Sequence, residues 1–252
     1  MKKVMILISV CVLFFGCTKD WGDPTTKNYP INGAFTKLDV SDAFEVTVSD
    51  QVSEVVVTVG EKAHPNVIVK VVNGVLQIGF KPNTPYIGKA TAIIPANPNL
   101  KSINLSGASS FTGNLDALDM DIDLSGASSF TGDLNGHEVD MDISGASVFK
   151  GFVDADKIDL DLSGASEATI HGFCQEKMDI NLSGASTLNA ASLEAQSIVG
   201  HMSGGSNADV TVCSLLNVDL SGGSNLTYGV VSADCHPDIN CPSTGGSTVR
   251  PR

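Results

Sequence analysis

The 252-residue chain is 42% hydrophobic, enough to build a real core in one large β domain or two small ones, and too apolar for a disordered polymer. Its 28 acidic against 15 basic residues give a formal charge of −13, a field that repels nucleic-acid phosphates and anionic membrane surfaces. Nucleic acid is a poor partner for such a surface.

The first residues are Met1-Lys2-Lys3, a nearly all-apolar run from Val4 to Phe15, and Gly16-Cys17. That order is the charged, hydrophobic and small-residue sequence of an export signal, too short to span a bilayer as a helix. It resembles a bacterial lipoprotein signal, with residues 1–17 ending at a lipidated Cys17. It departs from one at Phe14, where such signals usually carry Leu. An ordinary cleaved secretory peptide is the alternative, and on either reading the chain leaves the cytoplasm. Thr18 follows the cysteine in place of the Asp of an inner-membrane retention signal, so the expected destination is the outer membrane, facing periplasm or medium.

Residues 18–33 are polar, hold two prolines and lack any period, so they read as a tether between lipid and domain. Trp21, the lone tryptophan, reads there as a tether residue, with a membrane-interface anchor as the alternative. Residues 34–100 hold short β segments, among them Phe44–Val48, Glu54–Val59, Val67–Val72 and Leu76–Phe80, with Asn73-Gly74 as a hairpin signal between the last two. This region is expected to form an N-terminal β cap over the open edge of the C-terminal half.

Residues 101–252 are dominated by a repeat. Ser-Gly-Ala-Ser begins at Ser106, Ser125, Ser144, Ser163 and Ser183, continues as Ser-Gly-Gly-Ser at Ser203 and Ser221, and closes with Thr244-Gly-Gly-Ser. The steps from 106 to 221 are 19, 19, 19, 20, 20 and 18 residues. One residue before the first Ser is an apolar column (Leu105, Leu124, Ile143, Leu162, Leu182, Met202, Leu220), and a second stands three before it. This alternation is the mark of a β-strand with one buried face. Five residues after the first Ser a further inward column begins Phe111, Phe130, Phe149.

A unit of 19 residues traces about 60 Å, one circuit of a narrow β-helix whose coils stack about 4.8 Å apart. A hairpin of a meander has the same length. The coil is preferred, because equivalent side chains then lie above one another and small Ser, Gly and Ala suit a tight corner. The leucine spacing and asparagine of leucine-rich repeats are missing. The fold class is therefore all-β, a solenoid with a C-terminal cap around Cys235 and Cys241.

These residues resemble the autotransporter-adhesin head domain, the GIN domain, of Bacteroidetes lipoproteins. The resemblance covers about residues 34–250, through Phe35–Val40, Phe44–Val48, the Asn73-Gly74 hairpin, Pro98–Ile103 leading into Ser106–Ser109, and the closing Gly245-Gly246-Ser247. It implies a right-handed parallel β-helix and an adhesive role, and it brings no catalytic residues. The expected protein is a non-catalytic envelope lipoprotein that presents a rigid face to a glycan or protein.

The candidate face is a double acidic column. Two residues before the repeat Ser stand Asp123, Asp142 and Asp161, and four before stand Asp121, Asp140, Asp159 and Asp179. Carboxylates about 4.8 Å apart repel by roughly 1 kcal/mol even in water, so a cation would relieve them. Calcium is the natural candidate, although no glycine-rich calcium loop accompanies the aspartates. A solvated face with raised carboxylate pKa values and diffuse counterions is the simpler reading.

A polysaccharide lyase on the same scaffold is the enzymatic alternative. It needs a basic residue beside the acidic face, whereas Lys150, Lys157, His171, Lys177 and His201 fall in scattered columns. A self-associating spacer, a homo-oligomer visible by light scattering, is the structural alternative.

The four cysteines of the repeat region sit in an oxidising compartment. Cys235 and Cys241 flank five residues and read as a small disulfide loop, while their spacing with His236 fits no zinc pattern. Cys174 and Cys213 occupy about the same column two coils apart, near 9.6 Å, beyond the roughly 7 Å a disulfide tolerates. Both are expected to be reduced and buried.

Overall fold

The computed structural model describes residues 20–252 and is all-β, a parallel solenoid of about 8 coils of ~19 residues. Cys17 and the export signal lie outside the described residues.

The polar stretch expected to be a tether is part of the fold. Trp21 is 5% exposed, packed edge-on against Tyr86 with ring centroids 5.5 Å apart. After it β1 (Pro24–Tyr29) runs along the edge of the sheet, and its six residues pair antiparallel with residues 55–60. No face of β1 is buried, so it carries no alternation for a sequence reading to find.

The next strands do more than cap the solenoid. β2 (Lys37–Val40) and β3 (Phe44–Ser49) are followed by β4 (Val55–Gly60), which is the partner of β1, then a 3-10 turn over Glu61–Asn66. Then come β5 (Val67–Val72), β6 (Val75–Phe80) and β7 (Ala90–Pro95). In the repeat region β8 (Ser102–Leu105) and β9 (Ser110–Thr112) flank the first Ser-Gly-Ala-Ser. β2 pairs in parallel with both β6 and β8, and β3 with both β7 and β9. The β2–β3 segment is therefore a coil of the solenoid, and residue 100 is no structural boundary. Ser41-Asp42-Ala43 turns its corner, with φ of 62° at Asp42, where the later coils place Gly, and 61° at Ala43, where they place Ala or Gly. The parallel ladder ends where β5 pairs antiparallel with β6 and β4 with β7.

From there the coils repeat: β10 (Leu115–Asp116), β11 (Asp119–Leu124), β12 (Ser129–Thr131), β13 (Leu134–Ile143), β14 (Val148–Leu162), β15 (Glu167–Leu182), β16 (Thr187–Met202), β17 (Asn207–Leu220) and β18 (Asn225–Val230). Each pairs in parallel with the strand one coil away, in a register that aligns the repeat columns, as in Leu124↔Ile143↔Leu162↔Leu182↔Met202↔Leu220. All members of that column are buried. Phe111, Phe130 and Phe149 form a stack with centroids 5.3 and 5.2 Å apart.

The Ser-Gly-Ala-Ser corner has a specific chemistry. Its Gly is left-handed, with φ of +73° at Gly145 and Gly164, and a Cβ at Gly145 would lie 2.4 Å from the Gly126 carbonyl oxygen. The Ala N–H bridges the same corner between coils, Ala146 donating to Gly126 at 2.8 Å and Ala165 to Gly145 at 2.7 Å. The last Ser is buried, and in several coils its hydroxyl donates back to the carbonyl of the first, as from Ser128 to Ser125 at 2.7 Å and Ser166 to Ser163 at 2.9 Å. Both the backbone shape and the stacking distance thus require this composition.

At the C-terminal end β19 (Asp238–Asn240) pairs with β17, and β20 (Thr248–Pro251) with β18. The disulfide here joins Cys213 to Cys235, with α-carbons 4.8 Å apart, and Cys241 is free. The Cys235–Cys241 loop fails because β19 lies between those two residues. Five residues separate them, three of them the extended strand β19, which carries the two cysteines apart. The expectation that Cys213 is reduced fails for a related reason, since the chain after β18 returns to the middle of β17, between the stretches that pair with β18 and β19. Cys174 is free and buried, and burial pushes its thiol pKa up to about 11.

Candidate functional site

The solenoid gathers the predicted aspartates into two outward rows on the strands preceding the corner. In one row Asp121, Asp140, Asp159 and Asp179 stand in register across β11, β13, β14 and β15. In the other stand Asp123, Asp142 and Asp161, continued by Asn181. Between these outward residues the buried column Ile122, Met141, Leu160 and Ile180 fixes the direction of every side chain.

The rows are mutually repulsive. Partial burial raises the pKa of Asp123, Asp140, Asp142 and Asp159, and neighbouring aspartates raise it further, as Asp121 does for Asp123 and Asp161 does for Asp142. Relief is local: Lys177 Nζ lies 3.2 Å from Asp179 at one end, and Ser102 donates to Asp121 at 3.3 Å at the other. Rows of side-chain carboxylates on one flat strand face draw counterions, while a chelated calcium needs six to eight oxygens converging on one point.

The five basic candidates for a lyase do not converge on these rows. Lys177 sits at one end, and His201 lies 3.4 Å from Asp219 further along the stack. Lys150 and His171 stand on the strand run beyond the corner. Lys157 is 4.0 Å from Glu176.

That run beyond the corner holds residues the aspartate columns did not point to. Asp116, Asn135, Asp154, Phe173 and Glu194 are successive in register there. A groove of about 370 Å³ is lined by Asp116, Leu118, Asn135, His137, Asp154 and Asp156 among others. Leu118 is 78% exposed and Phe173 40%. Phe152 meets His171 and Phe173 edge-on, at 5.5 and 6.1 Å between ring centroids. At the groove's edge the ligand atoms of Asp119, His137 and Glu138 come within 4.8 Å of one another, all exposed. The available signal was the aromatic residues of the fourth and fifth coils at outward positions, where earlier coils carry Asn and Asp.

Residues 34–229 match the family described as "Putative auto-transporter adhesin, head GIN domain". The chain belongs to this family. No curated protein matches it. Among solved structures it is similar to a putative adhesin from Parabacteroides merdae, at 18% identity and TM-score 0.81, covering 92% of this chain and 97% of that one. It is also similar to a putative adhesin from Parabacteroides distasonis, at 22% identity and TM-score 0.79, over 92% and 98% of the two chains. A putative lipid binding protein from the same species matches at 19% identity and TM-score 0.75, over 92% and 97%. At these identities the neighbours establish the GIN-family fold and no shared ligand.

Proposed function

We propose that this GIN-family chain is an envelope lipoprotein adhesin, held to the outer membrane through Cys17 and contacting its partner along the side of the solenoid. The observation that carries this reading is a division of charge along the stack. Residues 20–101 hold 8 acidic and 7 basic residues, whereas residues 102–252 hold 20 and 5. The described chain begins at the nearly neutral end, where β1 and β4 close the sheet beside β7. A molecule anchored three residues before Asp20 would lay that end against anionic lipid and send the acidic coils outward, as electrostatic repulsion favours. The names of the family and its structural neighbours, adhesins and one lipid binding protein, support a binding role.

The test is metabolic labelling with a radioactive fatty acid, followed by membrane fractionation and protease shaving of intact cells. Labelled, membrane-bound protein that disappears on Cys17→Ala is the expected result. Unlabelled protein released to the medium would overturn the anchor, and protection from protease on intact cells would overturn the surface-adhesin part.

A further inference from the structure

We propose that the groove beside Leu118, on the strand run beyond the corner, together with Phe173 one coil on from its Asp154 edge, binds a glycan chain that carries no acidic groups. The inference rests on the adhesin reading and gives it a ligand class and a location away from the aspartate rows.

Three kinds of contact meet there. Phe152, His171 and Phe173 form an aromatic patch spanning two adjacent coils, with Phe173 directly in register with Asp154. An aromatic face, negative at its centre, suits the weakly positive C–H face of a pyranose ring. Asp116, Asn135 and Asp154, one per coil, form a polar row that runs into this patch. None of the three side chains makes a hydrogen bond or ion pair among the described residues. Carboxylate and amide groups offer paired acceptors or an acceptor with donors, the geometry that adjacent sugar hydroxyls match. Leu118 adds an apolar contact at the far end.

Charge decides between glycan classes. Asp116, Asp154 and Asp156 line the groove, and among the described residues only Asp156 has a basic side chain within ion-pair distance, His137 at 3.7 Å. A uronate or sulfated chain would be repelled. Neutral chains meet no such penalty, and an amino sugar gains an ion pair. The groove crosses successive coils, so the ligand lies along the stack and several sugars engage equivalent positions in turn. A shallow open groove of this kind gains affinity from such repetition rather than from enclosure.

The test is calorimetry on the full chain in detergent, titrated with N-acetylglucosamine, mannose, glucosamine and galacturonate hexamers. At least one of the first three should bind saturably and the galacturonate hexamer should not. Phe173→Ala and Asp154→Asn, both at solvent-accessible positions, should each weaken binding about tenfold, ~1.4 kcal/mol, while Asp142→Asn leaves it unchanged. Unaltered affinity in the first two variants overturns the groove, and a preference for the uronate overturns the ligand class. If no hexamer binds but the chain still attaches to cell surfaces, the glycan proposal falls and the adhesin reading stands. If attachment is absent as well, both fall.

Discussion

At the scale of single residues, the corner is where the sequence is least free. Gly145 must be left-handed and must also let the Gly126 carbonyl approach where a Cβ would stand. Gly145→Ala therefore meets about 1–2 kcal/mol of backbone cost and a backbone clash besides, and should lower the melting temperature sharply. Ala146→Gly, one residue on, should cost far less, because Gly205 and Gly223 already fill that position in later coils. The closing serines separate packing from hydrogen bonding. Ser166 donates to Ser163 at 2.9 Å, whereas the buried hydroxyls of Ser186 and Ser206 have no partner among the described residues. Ser166→Ala should thus lose about 1 kcal/mol in urea denaturation, and Ser206→Ala should be neutral or stabilising. Equal losses would show that packing alone holds the corner.

Strands, taken as elements, balance a buried column against a repulsive one. The four aspartates with raised pKa values bind protons more tightly folded than unfolded, where the ordinary value is 3.8. Their ionisation opposes folding at neutral pH. That opposition fades as pH falls through the raised values and is absent below 3.8. Asp140→Asn should accordingly stabilise the fold at pH 7 by about 0.2–1 kcal/mol for each like-charged neighbour it no longer faces, seen as a higher melting temperature, and the gain should vanish below pH 3.8. Added sodium and calcium at matched ionic strength should shrink it equally, since counterions on an open row act by screening. A saturable calcium heat that Asp121→Asn, Asp140→Asn and Asp142→Asn together remove would instead assign a bound ion. The columns themselves were legible because their period is strict. One more coil was also legible in principle, since Leu38, Val40, Ser41 and Val46 stand at the repeat's −3, −1, 0 and +5 positions. It was masked because Asp42 replaces the Gly that marks the motif.

For the whole molecule, a stack of like coils exposes an unpaired strand at each end, and both ends were the parts hardest to read. A strand at a closed edge buries neither face, so β1 shows no apolar alternation, and the C-terminal chain repeats the corner without the full column pattern. The cysteines misled for the same reason, because pairing there depends on where the chain returns and not on spacing. The Cys213–Cys235 link closes a segment of 22 residues and should be worth roughly 3 kcal/mol, so Cys213→Ser with Cys235→Ser should loosen the last coils first, as amide exchange over β17 to β20 would report.

The opposite end makes the stronger demand. Removing residues 20–29 takes Trp21 out of its packing beside Tyr86 and bares the full hydrogen-bonding edge of β4, six residues long and rich in Val. Such an edge is a template for a second copy. The shortened chain should keep its β content by circular dichroism, because the coils beyond β2 are paired independently of β1. It should nevertheless appear as dimers or larger species by light scattering. Val56→Lys, at a half-buried position of the bared strand rather than on its core face, should return it to monomer. A shortened chain that stays monomeric without the lysine would mean that β4 guards its own edge and that β1 serves only to position the N-terminal segment.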